Sequence, residues 1–306
     1  MKDNIYFHKE RNLKKCILDT WLIFAAHPTR FIKFLSPAIL VCSVSLAIFI
    51  WAIGNLCNSL IPLQIFHSQG KIPYKDLLQI MGPSIFEYGW ALLALLNMFV
   101  GYVIFQNACF TQISYAIKNK QIPSQNIFDL SFLFYRKFLR CLKYFSIQFL
   151  FLFLGVSLII LCVFLLSKWM WLLLLPSLIY WGVACEVGSL NYILTKESLH
   201  TIIMRCFHPK EVFGNSFVIL FITSIFILIL IIIGLFPNLL IQLSYYYDTL
   251  GVLAYDSSGM PPYIPILSFL CAVVGSSLFL IGLTIQKLAL TFVWCSTQID
   301  KIKKEA

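Results

Sequence analysis

Charge is scarce in this chain. Of its 306 residues, 12% are charged and 60% are hydrophobic. A soluble domain carries about 25% charged and about 45–50% apolar residues. A soluble surface needs its charges, so the deficit excludes an enlarged soluble core and leaves lipid as the main solvent. A mean hydropathy of +0.86 agrees. Enzyme signatures are missing too: there is no H-E-x-x-H to hold zinc, no G-x-S-x-G elbow and no P-loop. No apolar run carries a Ser/His or Asp/Asp arrangement fit to act as nucleophile and base. The ten cysteines include no C-x-x-C pair, and the two long segments assigned below to the outer side, 58–84 and 244–263, contain none. That argues against a disulfide framework or a zinc site, and the cysteines read as small, soft helix residues. The expectation is a non-enzymatic protein with no cofactor and no metal.

What is present is positive charge and apolar length. The net charge is +10. Most Lys and Arg lie in short segments between apolar runs, so anionic lipid head groups are the natural partner, and nucleic acid is not, because no soluble module carries it. The opening "MKDNIYFHKERNLKK" is long and mixed in charge, unlike a cleavable signal.

About 20 apolar residues cross the hydrocarbon core. Six runs qualify, at roughly 34–57, 88–115, 144–167, 169–192, 217–240 and 264–292, the fifth ending near Pro237. The expected fold is all-α, a polytopic membrane helical bundle forming one integral membrane domain over 1–306. With the N-terminus inside, the inner segments hold seven Lys and Arg before the first span, six in 118–143, three in 196–210 and four from Lys287 onward. Only Lys71, Lys75 and Lys168 fall outside. The positive-inside rule then puts both termini in the cytoplasm.

A basic amphipathic stretch precedes each odd span: "RNLKKCILDTWLIFAAHPTRFIKF", "NIFDLSFLFYRKFLRCLK" and "SLHTIIMRCFHPKEVFGN". In the first, Leu13, Ile17, Trp21 and Phe24 fall at helical spacing, with Arg11, Lys15 and Asp19 on another face. His27–Pro28 and His208–Pro209 recur before their spans, and Pro ends one helix and can start the next. Such helices lie at the head groups on the cytoplasmic side, and the pattern suggests three similar units.

Glu186 is the polar residue that asks for a reason. It sits in "YWGVACEVGSLNYILTK" within the fourth run, where a charge costs a few kcal/mol or more. Counting from Trp169 places it about 25 Å in, past the midplane. Lys287 lies about 33 Å along the sixth run, and its stem can reach back to the acid or snorkel to the surface. Gly182, Cys185, Gly188 and Ser189 would let another helix approach, and Ser268, Gly275 and Gly282 recur at seven-residue spacing. The second run adds Asn97, Gly101, Gln106, Asn107, Thr111 and Gln112. The second, fourth and sixth spans are thus expected inside, with Glu186 held by Lys287 or by an amide such as Asn97 or Asn107, and the Ile/Leu-rich fifth facing lipid. A structural acid and a substrate, ion or proton site both remain open.

The layout of "HPTRFIKFLSPAIL" and "LLLLPSLIYWGVACEVGSLNYILTKESLH" resembles a broad group of uncharacterised bacterial six-helix membrane proteins. These are similar to the membrane domain fused to some glycerophosphodiester phosphodiesterases. The matching positions would be Pro176, Glu186, Gly188 and Ser198–Leu199. No phosphodiesterase domain accompanies them here, so that activity is not carried over. The leading expectation is an accessory or scaffold protein with a membrane-protein partner; the alternative is a small transporter or lipid-handling protein with its site near Glu186.

Overall fold

A computed structural model describes residues 11–68, 85–123, 127–165, 170–195, 197–206, 214–253 and 261–305. Lys71, Lys75, Lys168 and the pair His208–Pro209 lie outside the described residues. The described residues are nearly all helical, with no strand among them. The helices are α1 (Leu13–Ala26), α2 (Pro28–Ser68), α3 (Ile85–Asn119), α4 (Ser131–Leu165), α5 (Met170–Leu194), α6 (Leu199–Cys206), α7 (Asn215–Leu253) and α8 (Ile264–Glu305). A 3-10 turn, Ile127–Leu130, leads into α4. Among the described residues, five helical segments are long and apolar enough to cross a membrane: Pro28–Cys57, Phe86–Asn119, Ser131–Gly155, Asn215–Ser244 and Ile264–Thr297. The chain therefore has the build of a multi-pass membrane protein. The fourth run forms α5, 25 residues long, with side chains described from Ile179 onward.

Two helix starts follow from local chemistry. His27 closes α1 by donating its N–H to Ile23 (3.1 Å), and Pro28, whose missing N–H costs nothing in a first turn, opens α2. Ser198 caps α6, its hydroxyl accepting from the Thr201 N–H at 3.3 Å.

Two helix boundaries and one buried face differ from the sequence reading. The middle basic stretch is not a separate helix ahead of a span at 144: α4 runs unbroken from Ser131, because neither Pro nor Gly interrupts it before Gly155. Nor does the fifth span stop near Pro237. α7 continues to Leu253, held beyond the proline by Asn238, which donates to the Ser268 carbonyl (2.7 Å), and by Gln242, which donates to the Ser268 hydroxyl (3.2 Å). In α1, Trp21 is exposed; Leu13, Ile17 and Phe24 pack inward with buried Cys16 and Thr20, while Leu18, Trp21 and Leu22 form the outer face. The middle stretch thus differs from the first, which forms a helix of its own, and much of the third lies outside the described residues.

The chain divides into two compact units. The first comprises Met1–Pro37, Val103–Ile225 and Leu283–Ala306. Its apolar core joins Cys16 of α1, Phe31 of α2, Ala116 of α3, Ile219 of α7 and Leu288, Ala289, Phe292 and Val293 of α8. Arg11 ties the start of α1 down, pairing with Asp19 at 2.6 Å and lying over the Phe292 ring at 4.7 Å. Burial pushes the Cys16 thiol above its ordinary range, so it packs as a neutral side chain.

The second unit comprises Ala38–Tyr102 and Phe226–Gly282. Small residues bring its backbones together. Ala52 meets Ala91 and Ala94 between α2 and α3, and Gly101 lies against Ser45 and the Cys42 backbone. The seven-residue stripe of α8 receives α7: Gly275 faces the Gly234 backbone, Gly282 faces Ile227, and Ser268 takes Asn238. One face of α7 is therefore packed, although Leu228, Ile229, Ile232, Ile233 and Phe236 on its other side are exposed. The Ile/Leu run expected to face lipid is thus exposed on one side, while the Gly234 side packs on α8, because without water to drive apolar surfaces together small residues decide which helices approach.

A methyl group at Gly275 would fall 2.6 Å from the Gly234 carbonyl oxygen, on backbone that has little room to yield. Gly275→Ala is expected to destabilise the chain by about 1–3 kcal/mol, read as a lower unfolding midpoint in detergent. Gly89→Ala, where nothing stands within 4 Å, is the control that should leave the midpoint unchanged.

Candidate functional site

Three helices of the first unit converge on one ammonium group. Lys287 is among the largest fully buried side chains, 1% exposed. Its Nζ donates to Glu186 Oε2 in a salt bridge and to the Ser189 hydroxyl at 3.2 Å, both on α5. It also lies 5.1 Å from the centre of the Phe110 ring on α3. A cation over an aromatic face is attracted by the ring quadrupole, more so when desolvated. The Ser189 hydroxyl turns back to the Glu186 carbonyl at 2.7 Å, and Thr291 bonds the Lys287 carbonyl at 2.7 Å.

Burial is unequal within the pair. The Glu186 side chain keeps 19% exposure against 1% for Lys287. The lysine is the member that would suffer alone, since an uncompensated buried charge costs more than the pair contributes. One turn-pair further on, Trp294 of α8 donates its indole N–H to the Asn191 side chain of α5 at 2.6 Å. Glu186 to Lys287 and Asn191 to Trp294 advance together in residue number, so α5 and α8 run parallel there. α3 joins in the same sense: Cys109 meets Thr284, and Phe110 meets Lys287.

α4 packs antiparallel to both α3 and α5. Asn107 donates to the Phe134 carbonyl (3.0 Å) and accepts from the Cys141 thiol (3.4 Å), while Lys137 reaches back to Ser114 and to the Phe110 carbonyl. On the α5 side, Tyr144 donates to the Cys185 carbonyl (2.7 Å) and stacks on Tyr192 at 5.7 Å.

Of the four residues singled out from sequence, Glu186 and Lys287 meet. Asn107 is fully buried but serves α4, not the acid. Asn97 is exposed on α3 beside Leu93, Leu96 and Val100, and takes no part in the buried polar group. Its place is corrected for a geometric reason: ten residues from Asn107 amounts to a rotation of about 80° around a helix, enough to leave the inward face. Gly182 is exposed too, and a side chain there would meet nothing within 4 Å, so it does not admit a helix beside the acid. Ser189, Phe110, Asn191 and Trp294 complete the cluster without having been named as partners. An aromatic or hydroxyl residue in an apolar run carries no sequence signal of its own. Gln106 stands apart. It is wholly buried, and neither its amide nitrogen nor its amide oxygen has a hydrogen-bond partner.

Chemically the cluster is a closed ion pair with hydroxyl and ring support. Among the described residues, no group of three or more His, Cys, Asp or Glu is placed to hold a metal ion. The class defined here is an all-helical protein with several helices apolar enough to span a membrane. No family model, no curated protein and no solved structure matches the chain.

Glu186→Gln strips the buried ammonium of its counter-charge and is expected to cost about 3–5 kcal/mol, measured as a fall in unfolding midpoint. Replacing both members, Glu186→Leu with Lys287→Met, should recover most of that loss. A Glu186→Gln variant as stable as the parent would refute the dependence of Lys287 on its partner.

Proposed function

We propose that this chain is a non-enzymatic accessory or scaffold protein of a bacterial inner membrane, with six spans and both termini in the cytoplasm. The observation that carries the reading is the completeness of the Lys287 environment. The buried cation has a carboxylate, a hydroxyl and an aromatic face around it, which suits a clamp between helices better than a carrier that must bind and release. Broken helices with half-helix ends at a midplane site, the habit of secondary transporters, find no counterpart around this pair. In this reading α1 and α6 lie at the head groups, the exposed Leu18, Trp21 and Leu22 of α1 entering the interface.

The sixth span is proposed to be α5. Its 25 residues reach about 37 Å, more than the about 30 Å of hydrocarbon. Its contacts run parallel to α3 and α8 and antiparallel to α4, the alternation that six successive crossings require. Reporter fusions test this: alkaline phosphatase joined after Lys168 should be active and one joined after Lys196 inactive. Equal activity at both points would remove the crossing.

A second reading, a small transporter or lipid-handling protein, is favoured by one observation, the unpartnered amide of Gln106 inside the unit. A buried amide without partners costs about 1–3 kcal/mol, a cost that ligand binding would offset. Extraction in native lipid followed by mass spectrometry separates the two. The scaffold reading expects a membrane protein in stoichiometric amount. A small solute or lipid bound without any protein partner, and released by Gln106→Leu, would replace it with the second reading.

A further inference from the structure

Between the C-terminal turns of α3 and the first half of α4 lies a pocket of about 440 Å³ whose described lining residues include four cations, Lys118, Arg136, Lys137 and Arg140, and no carboxylate. Ser114 and Tyr115 add hydroxyls. None of these lining residues belongs to the Glu186–Lys287 cluster. None of the four cations forms an ion pair among the described residues, and Lys118 and Arg136 make no hydrogen bond either.

The two inner cations are held in place rather than neutralised. Lys137 donates to the Ser114 hydroxyl and the Phe110 carbonyl. Arg140 donates to the Thr195 carbonyl at 2.9 Å and the Glu197 carbonyl at 3.5 Å, and its guanidinium lies 5.0 Å over the Tyr192 ring. An ammonium has three donors and a guanidinium five, so both retain donors for a ligand. The C-terminal dipole of α3 contributes only about half a negative charge, far less than four positive ones. Like charges gathered this closely repel one another, and an anion relieves the repulsion.

We infer that this pocket binds a phosphate group, either on the head of an acidic phospholipid or as free phosphate. The volume suits a glycerophosphate-sized head, and Arg and Lys are the residues that recognise phosphate oxygens, Arg through its fork and Lys as a point charge. On the face of α4 that adjoins Arg136, Phe132, Tyr135 and Leu139 are strongly exposed, an apolar surface along which acyl chains would run. The lipid source rests on the membrane placement proposed above; the free-phosphate source does not.

The test uses the full chain, delipidated in a neutral detergent. Native mass spectrometry measures retention of phosphatidylglycerol against phosphatidylcholine, and calorimetry follows titration with inorganic phosphate. The parent should prefer phosphatidylglycerol by roughly tenfold or more, and Lys118→Gln with Arg136→Gln should abolish most of that preference. Lys14→Gln with Lys15→Gln on α1 removes the same charge outside the pocket; it should leave the phosphate response unchanged and lower the lipid preference by less than the pocket pair does. Should the first pair fail to fold, Lys118→Gln alone carries the test at about fivefold. A lipid preference without a phosphate response assigns the pocket to a lipid head. A phosphate response lost in the same variants, without lipid preference, assigns it to the free ion and survives any failure of the membrane placement. Equal binding by parent and Lys118/Arg136 variants, or equal loss in both charge-removing pairs, overturns the site.

Discussion

An ammonium group buried to 1% exposure is the constraint on which the rest of the first unit depends. Once Lys287 is inside, α5 must present Glu186 and Ser189 to it, and α3 must present Phe110. These requirements fix the rotation of both helices about their axes, and the Trp294–Asn191 bond repeats the registration further along. Apolar packing alone would not choose a register so sharply, since one face of leucines resembles another. A buried ion pair contributes little net stability but penalises every arrangement that separates it.

The described contacts of the second unit rest on small and amide residues. Gly234 against Gly275, Ala52 against Ala91 and Ala94, and Gly101 against Ser45 bring backbones close. Asn238 and Gln242 then bind Ser268 where α7 passes its internal proline. The two units illustrate two ways of specifying contacts when lipid replaces water as solvent: a polar pair that must be satisfied, and small residues that let dispersion act over short distances. The phosphate pocket belongs to neither. Two of its cations, Lys137 and Arg140, are held by carbonyls, a hydroxyl and a ring, and its described lining has no acid, an arrangement that packing does not call for.

Much of the helical layout was legible from residue type. The apolar runs marked each long helix, and His27–Pro28 marked a real break. Ends were less legible. α4 has no residue to start it at Tyr144, and α7 runs through Pro237 because contacts distant in sequence hold it. For the site, two rare charges in apolar runs were enough to single out Glu186 and Lys287. Asn97 and Asn107 looked equivalent in sequence, yet helix rotation turns one outward and buries the other.

The sequence by itself determined the solvent of this protein, its helical class and the charges that would need partners, because those follow from composition and from the cost of polar groups in an apolar medium. Only the tertiary structure decided which helices meet. It turned the small-residue stripe of α8 toward α7, set α3, α5 and α8 parallel around one lysine, and gathered cations from α3 and α4 at one pocket. The physical reason is that partner choice depends on the angle each side chain takes around its helix and on the return path of the chain. Neither is written in any single segment.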